Sequence, residues 1–476
     1  MYCTPIEPNY TPKRIVPFLV RTRSSAAFVA IIRWISAEAA RMLPSPIATL
    51  RRRFGESDFG RRWTEAGGWP GAVGVAWRRY YLRALMRWPR SGWRERRTVR
   101  AVLRSGRWGG YPFPGPWTRR FSRAFASMHA VPHVIPASSG ATALLAAYQS
   151  LGLMPGDEVV VPALTFSATA TAAHLLGLRV AFVDIDPLTL CLDHRLVEAA
   201  IGPHTRAIVA VHLGDSMPDM DALLEIARRR GLRLVEDCAH AHGASWQGRP
   251  AGGLGDVGCF SFQTGKLMSS GEGGAITTHN DGLAATCVAT VDCGRVHGGL
   301  PDQSRLGINL RLTELQAALL SCAAERFGRE NAVRQRRMES LRDQLGSVEG
   351  IRLPRRDPRM TSRPAYAFQM LYLPEACGGV PRERFVADLC DAGFPATPSW
   401  YQPVYRSPEY GRLDPRTPAP PAAPACPVAE SVATTSLVWI PHPFFLGPQR
   451  HITRLARTVA RLIDSYRHHG RAGDSP

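Results

Sequence analysis

GDVGCFSFQTGKLMSSGEGGAITT, residues 255–278, decides how the rest of the chain is read. Its two ends, residues 255–262 and 274–278, have the length and apolar content of short buried strands. Between them runs a Gly-flanked loop carrying Lys266, with 271–274 as a tight structural turn. Lys266 is one of only two lysines among the 59 basic residues, the other being Lys13. Arginine serves wherever only charge is needed, but its guanidinium is effectively never deprotonated, so imine chemistry requires an amine. Drift would leave the same count, and the neighbouring sequence has to decide between the two.

Immediately upstream, LRLVEDCAHAHGASW (232–246) reads as an apolar strand over 233–236 that ends in Asp237. Further out, strands are expected at 158–161, 179–183 and 205–211, a short one from Val134, and helices at 141–151, 167–176 and 220–230. Strands alternating with helices imply an α/β domain around a mostly parallel mixed sheet. Helices at 94–105 and 117–128 precede it, separated by a Gly/Pro/aromatic loop at 106–116. A long helix over 313–345 leads to a smaller C-terminal α+β domain. That domain has a strand at 367–372, a helix at 382–392, a Pro-rich loop at 415–427 and a final helix at 449–467. The expected division is a basic Arg/Trp-rich extension (1–87), a large domain (88–346) and a small domain (347–476), with the last boundary near 347–353.

Composition fits a globular chain, with 45% hydrophobic and 21% charged residues. The net charge of +20 is unevenly placed, because residues 1–90 hold sixteen Lys+Arg and five Asp+Glu, a surplus of 11. Anionic partners are therefore a question about the extension rather than the body. The ten cysteines lack a Cys-x-x-Cys or a Cys/His cluster at metal spacing, so they read as reduced thiols of a cytoplasmic protein, and no metal is expected. The longest early apolar run, 26–32, is interrupted by Arg33 and is too short to cross a bilayer.

A lysine loop following a strand-end aspartate suits pyridoxal 5'-phosphate. That cofactor needs an amine, a carboxylate at its ring nitrogen, a flat partner for the ring and a cradle for its phosphate. Lys266 offers the amine and Asp237 the carboxylate, although an aspartate there also suits a helix N-cap. Ser138-Ser139-Gly140-Ala141-Thr142 forms a strand-to-helix turn whose free N–H groups favour an anion, with Ser261 able to add a hydroxyl. Phe166 is a candidate to stack on the ring, or else a core residue.

The order of these segments resembles the DegT/DnrJ/StrS-type sugar aminotransferase family, a branch of the aspartate-aminotransferase fold. The matching stretches are SSGATALL, GDEVVVPALTFSATA, VAFVDIDPLTL, AIVAVHLGDSMPDMDAL, LVEDCAHAHGA, GDVGCFSF, GEGGAITT and GINLRLTELQAA, over about residues 88–468. The resemblance implies the pyridoxal-phosphate-dependent transferase fold of type I, with Lys266 as the Schiff-base lysine, Asp237 at the ring nitrogen and His240 near the ring oxygen. It further implies Phe166 stacked on the ring, Gly140, Ala141 and Ser261 at the phosphate, and Asn309 reaching the phosphate of a partner subunit in a homodimer with shared active sites. Ala141 stands where threonine is usual, so a side-chain contact there is lost or taken over by Thr142. FSFQTGKLMSSGEGG resembles 3-amino-5-hydroxybenzoate synthases and keto-cyclitol aminotransferases more than nucleotide-sugar enzymes. Residues 394–405, with Trp400, Tyr401 and Tyr405, fall where family members contact substrate.

The implied activity is transfer of an amino group from glutamine or glutamate to the ketone of a sugar or cyclitol in secondary-metabolite or cell-surface sugar biosynthesis. The partners are then a small keto substrate and an amino donor, with no nucleic acid. Sugar dehydratases of the same fold typically have histidine at the lysine position, which Lys266 argues against. A 3-amino-5-hydroxybenzoate synthase-like enzyme, which dehydrates and aromatises its substrate, would use the same site. A non-catalytic binding protein, attached to membrane or nucleic acid by its basic N-terminal segment, is the remaining alternative: Arg/Trp-rich helices within 31–62 suit an anionic lipid surface, no nucleic-acid motif is present, and a solvated extension is the simpler reading of residues 1–85.

Overall fold

The computed structural model describes residues 88–111, 113–295, 305–407 and 426–472. The expected extension and most of the Pro-rich loop lie outside these residues.

Seven strands form the main sheet: β1 (His133–Ala137), β2 (Glu158–Pro162), β3 (Arg179–Val183), β4 (Thr205–Val211), β5 (Arg233–Asp237), β8 (Val257–Ser261) and β9 (Gly274–Thr278). Between β5 and β8 a small hairpin pairs β6 (Ser245–Trp246) with β7 (Arg249–Pro250). The main sheet runs in the order β1-β9-β8-β5-β4-β2-β3, and β9 alone is antiparallel to its neighbours. The strands are near-continuous apolar runs because helices cover both faces. Their alternation is visible in β2, where Val160 packs into one core while Val159 and Val161 pack into the other. Each such buried valine contributes about 1.5–3 kcal/mol relative to an exposed one.

A second, four-stranded antiparallel sheet follows the helix Glu314–Leu345. It consists of β10 (Ile351–Arg352), β11 (Ala367–Tyr372), β12 (Thr397–Pro398) and β13 (Leu437–Pro441), in the order β10-β11-β13-β12. Both sheets belong to one compact unit.

Most expected elements appear within one or two residues of their predicted ends. The final helix runs further, from Gln449 to Ala472. The helices His194–Ala200 and Asp281–Val291 and the central strand β13 have no counterpart in the sequence reading. Asp281–Val291 carries almost no polar face, and LVWIP is a five-residue apolar run ending in proline. Periodicity cannot assign either segment.

Strand direction is what assembles the site. β1, β2, β5 and β8 all point the same way, so Ser138–Gly140, Phe166, Asp237 and Ser261 emerge at one edge of the sheet. This carboxyl edge is where α/β sheets bind ligands.

Candidate active site

Beyond Ser261 the chain turns into the loop that bears Lys266. The loop is closed on itself by the Phe262 N–H donating to Gly273 O (2.8 Å), the Ser270 N–H to Phe262 O (3.1 Å) and the Lys266 N–H to Gln263 O (2.9 Å). The Lys266 amine stands 4.6 Å from the ring centre of Tyr366. Removal from water depresses its pKa to about 8, against the opposing pull of the Asp237 carboxylate. The amine is therefore neutral in an appreciable fraction of molecules near neutral pH.

Asp237 ends β5 and is only 6% exposed. Its carboxylate accepts from the Thr169 hydroxyl (2.8 Å) and from the Ala239 N–H (3.1 Å). Residues 238–244 form turns, so the helix N-cap reading of Asp237 fails. Thr169, in the first turn of the helix Ala168–His174 and three residues beyond Phe166, which precedes that helix, was not foreseen. The Phe-x-x-Thr spacing that puts both at one helix start is the signal that would have found it.

His240 is buried, and its two ring nitrogens have different partners. Nδ1 accepts from the Gly214 N–H (3.2 Å), which leaves the proton on Nε2, 3.2 Å from the Tyr401 hydroxyl. Burial, and then the nearby charge of Lys266, hold its pKa well below the ordinary histidine range, so the ring is neutral. It lies flat against Tyr366, with ring centres 3.7 Å apart. Phe166 is 57% exposed and meets Tyr401 at 6.0 Å, so it is not a core residue. Its backbone carbonyl accepts from the Thr169 N–H (3.1 Å), which ties it to the residue that holds Asp237.

At the anion end, Ser139 caps the helix Gly140–Ser150, accepting from the Thr142 N–H (3.1 Å) while the Thr142 hydroxyl accepts from the Ser139 N–H (2.9 Å). Thr142 is thus engaged in a capping box rather than turned outward. With Ala143 N–H bonded to Ser139 O, the first-turn N–H groups of Gly140 and Ala141 are those left open. Gly140 is required there, since a Cβ would sit 2.7 Å from that of Ser261. Gly274 is required too: a Cβ would meet Ser139 O at 2.1 Å. Two strands and a helix start converge this closely only because both positions lack side chains. Asn309 is exposed and its carboxamide oxygen accepts from the Arg311 N–H (3.3 Å). The next residue, Leu310, accepts from the Ser138 N–H (2.7 Å), so Asn309 sits beside the turn at 138–142, with its side chain bonded within its own segment.

Trp400 stacks on Trp439 (4.6 Å) and meets Tyr366 edge-on (5.6 Å), so Trp400 and Tyr401 both face the Lys266–His240 cluster. Tyr405 does not. Its hydroxyl donates to Glu430 and accepts from the Cys426 N–H (3.1 Å), which makes it a structural residue. Trp439 comes from β13 of the second sheet and Tyr366 from the residue just before β11, where local sequence carried no sign of them.

The residues present fit pyridoxal phosphate: an exposed aromatic face, a buried carboxylate with unfilled acceptor positions, an enclosed amine and a glycine-dependent cradle at a helix start. A second cluster calls for a different reading. Ligand atoms of His212, Glu236 and Cys238 lie within 4.8 Å of one another, although His212, just after β4, and Glu236, in the adjacent β5, stand 24 residues apart. The Glu236 carboxylate accepts from the N–H groups of Gly252, Leu254 and Gly255 and from His212 Nε2, so it anchors that loop. All nine described cysteines are free, seven of them buried, with Cys293 part-buried and Cys390 exposed. No helix among the described residues is long and apolar enough to cross a membrane.

Comparison with known proteins supplies the context. Residues 89–451 match the DegT/DnrJ/EryC1/StrS aminotransferase family. The chain is 37% identical over 418 residues to an L-glutamine:2-deoxy-scyllo-inosose aminotransferase of Streptoalloteichus tenebrarius, covering 80% of this chain and 94% of that one. It is 35% identical over 410 residues to the L-glutamine:scyllo-inosose aminotransferase of Streptomyces griseus, covering 80% and 95%. Among solved structures, 3-amino-5-hydroxybenzoic acid synthase is similar with a TM-score of 0.72 and 32% identity, covering 79% of this chain and 98% of that one.

Proposed function

The chain belongs to the DegT/DnrJ/EryC1/StrS aminotransferase family, and from that premise we propose that it carries the amino group of L-glutamine to the ketone of a cyclitol, using pyridoxal phosphate held at Lys266. The observation that carries this reading is the enclosed Lys266 amine, with its pKa lowered to about 8 by burial, in electrostatic contact with the strand-end carboxylate of Asp237.

Pyridoxal phosphate, when bound, supplies an electron sink that lets an amino group be exchanged between two substrates. Asp237 offers its carboxylate to the proton on the ring nitrogen, held in place by Thr169 and Ala239. Phe166 offers the flat face. Gly140 and Ala141 offer first-turn N–H groups, and Ser261 a hydroxyl, to the phosphate. Lys266, with an amine that is partly neutral near pH 7, can take a proton from the donor's carbon and return it at the neighbouring position. His240 keeps its proton on Nε2, shared with Tyr401, and stays a neutral donor. Trp400, backed by the buried Trp439 and met edge-on by Tyr366, offers a partly exposed apolar ring suited to the carbon face of a six-membered ring. The outward-facing Asn309 fits a homodimer in which each chain completes the other's phosphate site.

The test is the visible absorbance of purified protein, wild type beside Lys266→Ala, before and after borohydride, followed by L-glutamine with 2-deoxy-scyllo-inosose or scyllo-inosose. A yellow wild type fixed by borohydride, and an aminated cyclitol, are expected. A wild type that stays colourless with added cofactor would sink the reading. An aromatic amine formed from a cyclic hydroxy-ketone would favour the synthase-like alternative, which the likeness to 3-amino-5-hydroxybenzoic acid synthase keeps in view.

A further inference from the structure

The peptide groups on either side of Lys266 are held from outside its own loop. His442, just after β13, stands with Nε2 3.0 Å from Gly265 O, and the indole N–H of Trp88 donates to Lys266 O at 3.0 Å. A carbonyl accepts only, so Nε2 of His442 carries the proton. The two rings pack edge to face, 4.9 Å apart. The Arg334 guanidinium lies over the other ring, Trp88, at 4.9 Å. Arg334 is fully buried, and among the described residues its Nε and Nη1 have no hydrogen-bond partner. A desolvated cation on an indole face is worth about 2 kcal/mol or more, so Arg334 has reason to hold the Trp88 ring where it is. The frame closes through His442, whose N–H donates to the carbonyl of Tyr366 (3.0 Å), the residue over which the lysine amine lies.

A lysine side chain has four rotatable bonds; burial and the Tyr366 ring restrict those torsions, and the backbone sets the point and direction from which the side chain departs. Gly265, directly before it, would otherwise add freedom. We propose that Trp88 is a positioning residue which, with His442, fixes the backbone at Gly265 and Lys266 and so sets the direction in which the Lys266 amine enters the site. This rests on the role proposed for Lys266. It also draws the site one residue upstream of the stretch that matches the family, which begins at residue 89.

Trp88→Phe in the full-length chain keeps an aromatic ring beneath Arg334 and removes the N–H together with the five-membered part of the indole. In the protein without cofactor, amide exchange over residues 263–270 is expected to quicken about tenfold, as a lost hydrogen bond allows. In the loaded enzyme, kcat should fall about tenfold while KM for 2-deoxy-scyllo-inosose stays at the wild-type value. A folded Trp88→Phe with wild-type exchange and kcat overturns the proposal. So does a raised KM at unchanged kcat, which would make Trp88 a substrate contact. Should Trp88→Phe fail to fold, His442→Phe removes the other donor; faster exchange there supports the proposal and unchanged exchange overturns it. A wild type that never turns yellow would defeat the proposed function, whereas the exchange measurement would still decide whether Trp88 holds the loop.

Discussion

Glu236 and Asp237 are consecutive residues of β5, both buried, both carboxylates, and they do opposite work. Strand geometry sends them to opposite faces of the sheet. Glu236 faces the turn at 252–255, where three backbone N–H groups at 2.8–2.9 Å and His212 at 3.1 Å fill its acceptor positions. Asp237 faces the Lys266 side with a single hydroxyl and a single N–H, at 2.8 and 3.1 Å. A buried carboxylate whose lone pairs are all matched is an anchor. One with acceptor capacity left over, beside an enclosed amine, is available for chemistry.

The sharpest way to break this comparison is Asp237→Asn. If Asp237 supports the cofactor's electron demand, kcat for L-glutamine and 2-deoxy-scyllo-inosose should fall on the order of a hundred- to ten-thousandfold, with thermal stability little changed. Wild-type kcat in that variant would place the chemistry elsewhere. Glu236→Gln should show the reverse pattern. An amide would turn N–H against N–H in the 252–255 turn, and urea unfolding should register a loss of about 3 kcal/mol with turnover per folded molecule near wild type. The pH dependence has a definite sign. Burial alone would raise the pKa of Glu236, but the hydrogen bonds from His212 and the backbone hold it below the usual carboxylate range. Its stabilisation is therefore complete above pH ~4.3, the unfolded value, and lost as pH falls through the lower folded value. The Gln variant should lack that portion of the acid transition.

The contrast also marks what the sequence could disclose. Asp237, Lys266, Phe166 and the Ser138–Gly140 turn were readable because each ends or follows a strand, and strand ends in a parallel sheet share one edge. Glu236 could not be told from Asp237 in that way. Only the partner loop, brought back by the β6–β7 hairpin, shows which carboxylate is already satisfied. Tyr366, Trp439 and His442 were invisible for a related reason: they reach the lysine loop or His240 from strands of the second sheet or their flanks, more than 95 residues along the chain, and no local pattern encodes such a meeting. Tyr405 is the converse case, correctly placed along the chain yet turned to Glu430.

Lys266 extends the comparison to the positive partner. A base whose folded pKa is lowered to about 8, from about 10.4 in the unfolded chain, gives up affinity for its proton on folding. Keeping it charged therefore costs stability below pH 8, and the cost fades as pH rises toward ~10.4. Lys266→Met, in the protein without cofactor, should raise unfolding stability at pH 7 by about 2 kcal/mol, with the gain shrinking at alkaline pH. An equal or lower stability for Lys266→Met would mean that water reaches the amine and that its lowered pKa is not a property of the fold.

Thr169→Val should have the smallest effect, and it tests the comparison most directly. Valine nearly matches threonine in shape at this buried helix start but cannot donate, so Asp237 would keep only the Ala239 N–H. One hydrogen bond to a charged group, at the low end of about 1.5–3 kcal/mol, corresponds to about a tenfold loss in kcat if it orients the carboxylate. Stability should fall by about 1 kcal/mol, because Thr165 also loses its 3.0 Å partner. The informative quantity is the double variant with Asp237→Asn. If Thr169 acts through Asp237, its effect on kcat should vanish once the carboxylate is gone, since neighbours in one network are not additive. If the two losses multiply instead, Thr169 touches the reaction independently. Asp237 would then be held by its turn alone, as rigidly as Glu236 is by its loop, and acceptor capacity would no longer be what separates the two carboxylates.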